Sequence, residues 1–265
     1  MASLTAAGAA QAAIVVSYEG EAPGVQNTTA TFSFSGVETF NDVAGSNPAA
    51  ISKTFQDNAN PATTITMNYT GPNGVQINKA DQYGGAHGTG NYVVAFNSTP
   101  YTLALSSTNL GGGINYFGYW LSALDAGNEA KFYDSTGKLL FAFNPKDVLA
   151  VVNKNLNSGE YFGNPTAKFK GQDSQEPFVF LNFFDTAGSF SKVVFDEALT
   201  YGGGYESDNH TVGHYTGMGQ GTVIPLVYSV QGAVPEPATW AMMLVGFAGL
   251  GLAMRASRRE NHSFA

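Results

Sequence analysis

Short stretches of alternating apolar and polar residues, each closed by a turn signal, constrain the fold of this chain more than any other feature. Nine stretches read as strands: 31–37, 64–70, 92–96, 101–105, 116–120, 130–133, 139–143, 178–183 and 192–196. Successive side chains of a strand point to opposite faces, so alternation gives one face to a core and the other to solvent. Between the stretches fall Gly71-Pro72-Asn73-Gly74, Gly84-Gly85, Gly111-Gly112-Gly113 and Asp134-Ser135-Thr136-Gly137, residue types that favour turns. A helical period shows only briefly, at 145–152. Regularly spaced short strands without helices close into a sandwich or a barrel. The expected fold is all-β, a single antiparallel β-sandwich over residues 13–231.

The chain has no cysteine, so disulfides, thiol catalysis and thiolate metal sites are all excluded. About 220 residues remain once both ends are set aside, enough for one sizeable core. The polar stretch 153–176, with Gly159, Gly163, Pro165 and Gly171, reads as a long surface loop, because the strands on either side of it are too few to close separate cores. Net charge is −8, and three arginines near the C-terminus outweigh Glu260, so the chain upstream is more acidic still. Nucleic acid and anionic membrane surfaces are poor partners for such a body. Neutral glycans, cations and basic surfaces remain. Only 12% of residues are charged and 32 are glycine, a balance common where hydroxyls and amides cover the wet faces of β-proteins.

Both ends carry export signals. Met1 to Ala13 is almost wholly small residues, and Ala10-Gln11-Ala12 fits the small-x-small pattern before a signal-peptidase cut. With no basic n-region, 1–12 reads as the remnant of a secretory signal peptide whose start lies upstream. At the other end Val234-Pro235-Glu236-Pro237-Ala238-Thr239-Trp240-Ala241 leads into an uncharged apolar run ending at Met254, then Arg255, Arg258 and Arg259. Each proline removes an amide donor and biases its predecessor to extended backbone, leaving Glu236 on an exposed handle. As a transmembrane helix, 238–254 would be about 25 Å long, slightly short of the ~30 Å bilayer core, a gap that snorkelling arginines cover. Trp240 is placed as an interfacial anchor and the arginines as a stop signal, which leaves the tail in the cytoplasm and the body on the far side of the inner membrane.

Pro235, Glu236, Pro237, Trp240, Ala241 and the arginine end together resemble the PEP-CTERM sorting domain in its PEPxxWA variant, over 232–259. The same tail is also catalogued as an ice-binding protein C-terminal domain. The resemblance implies an exosortase as partner, a membrane protease that cuts near the Pro-Glu-Pro and passes the protein to the cell surface or extracellular matrix. In the body, Tyr116 to Trp120, Asp125 to Glu129, Lys131 to Asp134, Phe178 to Phe184, Phe190 to Phe195 and Tyr205 to His210 occur in an order similar to a group of exosortase-dependent surface proteins. That likeness implies a jelly-roll-like sandwich of no assigned activity.

Glu206-Ser207-Asp208-Asn209-His210 is the densest polar cluster and follows Gly202-Gly203-Gly204, so it is expected on a loop or strand edge. Hard cations take several oxygens, and by analogy with jelly-roll carbohydrate modules Glu19, Glu206 and Asp208 are candidate calcium ligands. The alternative is a solvated turn in which Asp208 and Asn209 bond their own backbone. His210 and His214 share a strand face, but spacing indicates no third zinc ligand. Gly-x-Ser-x-Gly does not occur. The acid pairs Asp125 with Glu129 and Asp196 with Glu197 have no context that separates them from surface acids, and no phosphate-cradling loop precedes a helix. The chain is therefore expected not to be an enzyme and to need no cofactor, calcium apart. Sugars stack on aromatic rings; Tyr201 and Tyr205, around the glycine run, are the expected exposed platforms, whereas Tyr116 and Trp120 share a face read as core. Thr31, Thr64, Thr66 and Thr70 keep no fixed period, so no ice-binding ladder is expected. The reading is a non-catalytic structural or glycan-binding protein of the envelope or exopolysaccharide; the alternative is a secreted β-sandwich hydrolase acting on polysaccharide.

Overall fold

The computed structural model describes residues 14–19, 26–97, 99–155, 160–197 and 203–231, apart from the side chains of 153–155. All lie in one compact unit, Ala12–Gly232. The proposed leader, Tyr201, the sorting residues from Pro235 to Arg259 and the 238–254 helix lie outside the described residues. Among the described residues no helix is long and apolar enough to cross a membrane.

In chain order the elements are β1 (Ile14–Tyr18), β2 (Thr31–Glu38), β3 (Ala50–Gln56), β4 (Thr64–Thr70), β5 (Gln76–Lys79), β6 (Asn91–Ala95), β7 (Tyr101–Thr108), β8 (Tyr116–Ser122), β9 (Asn128–Tyr133), β10 (Leu139–Phe143), α1 (Pro145–Asn155), β11 (Val179–Asp185), β12 (Lys192–Glu197), β13 (Tyr205–Gly217), β14 (Thr222–Val223) and β15 (Val230–Gln231). They form two antiparallel sheets. One runs β14-β1-β11-β8-β13-β6-β5, with β2 also on β13; the other runs β15-β10-β9-β12-β7-β4-β3. Among the described residues only β3–β4, β5–β6 and β9–β10 are chain neighbours that are also hydrogen-bonded neighbours. Nearly every other connection passes from one sheet to the other, so the two inner faces are held together along their length.

The alternating segments sit where their period puts them. Ile65, Met67 and Tyr69 of β4 point to the core while Thr64, Thr66 and Asn68 are less buried. The Asp134–Gly137 loop is a hairpin: Asp134 Oδ1 accepts from the amides of Thr136 and Lys138, and Gly137 takes φ 83°, where a side chain would be strained. The core between the sheets is aromatic, with Phe117, Tyr119, Phe132, Phe183, Phe195 and Tyr205 in mutual contact. Each such ring contributes roughly 2–3 kcal/mol by leaving water.

Two expectations are corrected and one is filled in. Tyr116 and Trp120 do share a face, but it is the outer face of the first sheet; the inner face belongs to Phe117, Tyr119 and Leu121. Trp120 is nevertheless buried, in a second cluster with Ala86, Ala123, Phe178 and Phe180. The stretch expected as a long surface loop is one in its described part, 160–176, and it is tied down by its own hydrogen bonds: Asn164 accepts from Gly171 and donates to the Gln172 carbonyl, Gly163 donates to Glu176, and Asn164 Nδ2 donates to the carbonyls of Asp81 and Gln82. Finally, 206–210 is no turn. It lies in β13, the longest strand, with β8 along one side and β6 and then β2 along the other.

Helix α1 starts by rule. The Asn144 side chain accepts from the Lys146 amide as N-cap, and Pro145 opens the first turn. Asp147, in that turn and buried, reaches past its own helix: Oδ1 accepts from the amides of Val227 and Tyr228 at 2.7 and 2.9 Å, and Oδ2 from Ser229 at 2.7 Å. This fixes the strap between β14 and β15, which edges both sheets just before the tail. Asp147→Ala should cost about 3 kcal/mol, because charge-assisted bonds are lost and three amides are orphaned. Asp147→Asn should lose about half of that. Urea unfolding measures both, and an unchanged midpoint in the alanine variant would contradict the role.

Candidate ligand-binding site

One end of β13 opens on a cavity of about 400 Å³. Its walls come from the ends of β5, β6 and β8, from Gly203, Gly204 and Glu206 at the start of β13, and from Asp81, Asp125 and Glu176 on the loops around them. Glu206 pairs in register with Ser122 on one side and Val94 on the other. Its carboxyl therefore stands on the outer face of a central strand and is only 7% exposed. The glycines before it are required by close approach. A Cβ on Gly204 would lie 2.5 Å from Glu206 Oε1 and 2.7 Å from Val94, and one on Gly203 would lie 2.1 Å from Asp125 Oδ2.

Three rings line the same space. Tyr92 donates its hydroxyl to Asp81 Oδ1 at 3.1 Å, and the same oxygen accepts from the amides of Tyr83 and Gly84. Gly84 lies so close to the Tyr92 ring that a Cβ would meet it at 2.6 Å. Phe96 closes another wall, and Tyr83 stands at the rim with 44% of its surface exposed.

Four carboxyls face the cavity, and among the described residues none of them has an ion-pair partner; the ion pairs formed are those of Lys53 and Lys131. Burial, reinforced by Glu176, Asp125 and Asp81, holds Glu206 well above the usual carboxylate range. Burial and the neighbouring Asp173 push Glu176 up to about 8. Asp125 is raised by burial against the amide hydrogen bonds it accepts. Behind Asp125 lies Glu197, buried and raised to about 8 by burial first and then by its acidic neighbours Asp125 and Asp196. Unpaired buried carboxyls avoid the desolvation penalty by keeping their protons.

The residues singled out in the sequence fall in different places. Glu206 lines the cavity, and Asp208 points to the same face but is capped underneath by the amides of Ala86 and Asn209, burial raising it to about 7. Glu19 is elsewhere. Its amide bonds Phe180, which pairs with Trp120, which pairs with Asp208, so Glu19 and Asp208 stand three strand spacings, about 14 Å, apart. Glu19 is spent on Thr28, Thr29 and Asn182. The three-acid calcium grouping is thus not assembled, and among the described residues no three of His, Asp and Glu are placed to hold a metal. Tyr205 is no platform: it is wholly buried, its hydroxyl on that of Tyr119.

His210 is a core residue. It lies within the rings of Phe117, Phe195 and Tyr69, bonds Ser207 Oγ at 2.9 Å and Tyr69 Oη at 3.2 Å, and burial lowers it to about 3. His214 instead bonds the Gly113 carbonyl. The acid pairs are also rearranged. Glu129 bonds Lys131, and Glu197 lies opposite Asn128, whose side chain accepts from the Asp125 amide; Asp125 thereby meets Glu197 rather than Glu129. Asp81, Glu176 and the rim Tyr83 carry no sequence signal beyond the turn chemistry of Asp81-Gln82-Tyr83-Gly84.

Residues 233–259 match the model of the PEP-CTERM protein-sorting motif. The chain carries an exosortase sorting signal. A PEP-CTERM protein of this kind is exported, is anchored in the membrane as a precursor and is processed by an exosortase. The match covers the tail and none of the sandwich. No curated protein and no solved structure matches the chain.

The carboxyls set a pH dependence. Glu176 and Glu197 are raised from 4.5 to about 8, so between these values the folded protein holds protons that the unfolded chain has lost. Their stabilisation is complete below about pH 4.5 and disappears as pH rises through about 8. His210 runs the other way: lowered from 6.5 to about 3, it contributes fully above 6.5 and loses its contribution as pH falls. The carboxyl effect stands alone between pH 6.5 and 8. Over that window the melting temperature should fall by roughly a few degrees, and Glu197→Gln should reduce the slope. A rising melting temperature would contradict the assignment.

Proposed function

We propose that this PEP-CTERM protein acts outside the cell as a non-catalytic glycan-binding component of the envelope or exopolysaccharide matrix. The observation that carries the reading is the cavity, which joins aromatic faces to hydrogen-bonding carboxyls on a rigid sheet end. Sugars use both, stacking C–H faces on rings while their hydroxyls bond polar groups. Tyr83, exposed at the rim, takes the platform role expected of Tyr205. Binding of this kind needs no cofactor.

A hydrolase acting on polysaccharide is the second reading, favoured by Glu176 and Glu206 on one cavity. A glycosidase needs one carboxyl held as acid while another stays ionised. Here Asp125, Glu176 and Glu206 all shift upward together, which suits hydrogen bonding better than acid–base division.

Exopolysaccharide from the native host, immobilised as a column, separates the two. The sandwich should be retained without releasing reducing ends, and Tyr83→Ala should weaken retention about tenfold, the loss of one stacking contact worth about 1.4 kcal/mol. Absence of retention would overturn the reading. Release of soluble fragments by the wild type but not by Glu206→Gln would establish the hydrolase instead.

A further inference from the structure

The cavity holds more acidic groups than its walls compensate. Asp81, Asp125, Glu176 and Glu206 converge on it, and among the described residues lining it none is basic. The convergence is not a solvated acidic surface. Glu206 is 7% exposed, and among the described residues no other residue donates a hydrogen bond to its carboxyl. Behind the wall, Glu197 is buried with Asp125 and Asp196 as its charged neighbours, and Asp173 stands beside Glu176, so acid is backed by acid and not by a cation. Glycines at 203 and 204 keep the approach to Asp125 and Glu206 open. A neutral sugar could bond these protonated carboxyls but would leave them un-ionised, whereas an arriving ammonium would favour the carboxylate, the carboxyl releasing its proton to solvent as the cation is seated. The rings of Tyr83, Tyr92 and Phe96 favour a cation carried on an apolar-faced body, where ammonium and C–H groups both meet aromatic surface.

We propose that the cavity is selective for amine-bearing saccharides, the ammonium group seated between Glu206 and Glu176 and the sugar face against the aromatic wall. This rests on the glycan reading and narrows it to a chemical class. Net acidity acts in the same direction, since a chain of charge −8 attracts a polycationic glycan at long range.

Titration calorimetry of the wild-type protein at pH 6.5, where the amine is charged, tests it with two probes: a glucosamine tetramer and its fully N-acetylated counterpart. The amine form should bind at least tenfold more tightly, and its affinity should drop several-fold between 20 mM and 500 mM salt. Glu206→Gln and, at the less buried position, Glu176→Gln should each bring the two probes to within about twofold of one another, with far-UV dichroism unchanged. Equal affinity of the wild type for both probes, or preference for the acetylated one, would overturn the amine assignment while leaving glycan binding intact. Binding of neither would overturn the amine assignment, and retention on the exopolysaccharide column would then show whether glycan binding stands without it.

Discussion

Strand β13 crosses the middle of the eight-stranded sheet with carboxyls on one face and an imidazole on the other, all removed from water, and the rest of the body is arranged to make that tolerable. On the inner face Ser207 and His210 bond one another and reach Tyr101 and Tyr69. This satisfied network lets polar atoms sit among rings. Between the faces the register slips at Asp208–Thr211, with Asn209 at φ 50°. A bulge of this kind re-aims side chains, returning Val212 to the core opposite Phe117. On the outer face Asp208 is capped by the amides of Ala86 and Asn209, while Glu206 has only its own amide and opens on the cavity.

The cover of the outer face follows from the same constraint. Trp120 and Phe180 stand beside Asp208 in the sheet, and the turns around Ala86 and the folded stretch before Phe178 close over them. What remains open is the end of the sheet where Gly203 and Gly204 provide no side chain to fill the space. Stability and ligand capacity thus meet in the same residues. Carboxyls held without counter-charges weaken the fold as they ionise, and the same lack of counter-charge makes the cavity a receptor for one. Export fits this economy, since a body without disulfides must rely on its aromatic core once outside the cell.

The sequence made the sandwich legible where alternation was plain, as in Thr64 to Thr70 and Lys192 to Asp196, and where turn chemistry was strong, as at Asp134 to Gly137. The sorting tail was legible because its motif is contiguous. β13 was not, because a strand buried on both faces loses its alternation, and Glu-Ser-Asp-Asn-His reads as solvent-facing when its partners lie far off in sequence. Tyr205 was misplaced for the same reason. Asp125 meets Glu197 through the β9–β12 register, which pairs residues nearly seventy positions apart, and no local pattern encodes such a meeting. Tyr116 and Trp120 were correctly placed on one face, but a two-sided sheet beneath a cover has a second buried face that period alone cannot distinguish from the first.

The most direct test of the account is carboxyl-resolved carbon NMR of the isotope-labelled protein across pH 4 to 9. Glu206 should titrate well above the ordinary carboxylate range, with Glu176 titrating near 8. Ionisation of both near 4.5, as for carboxylates in water, would mean that the cavity wall is hydrated or paired, and the argument from unbalanced buried acid to a cationic ligand would fall.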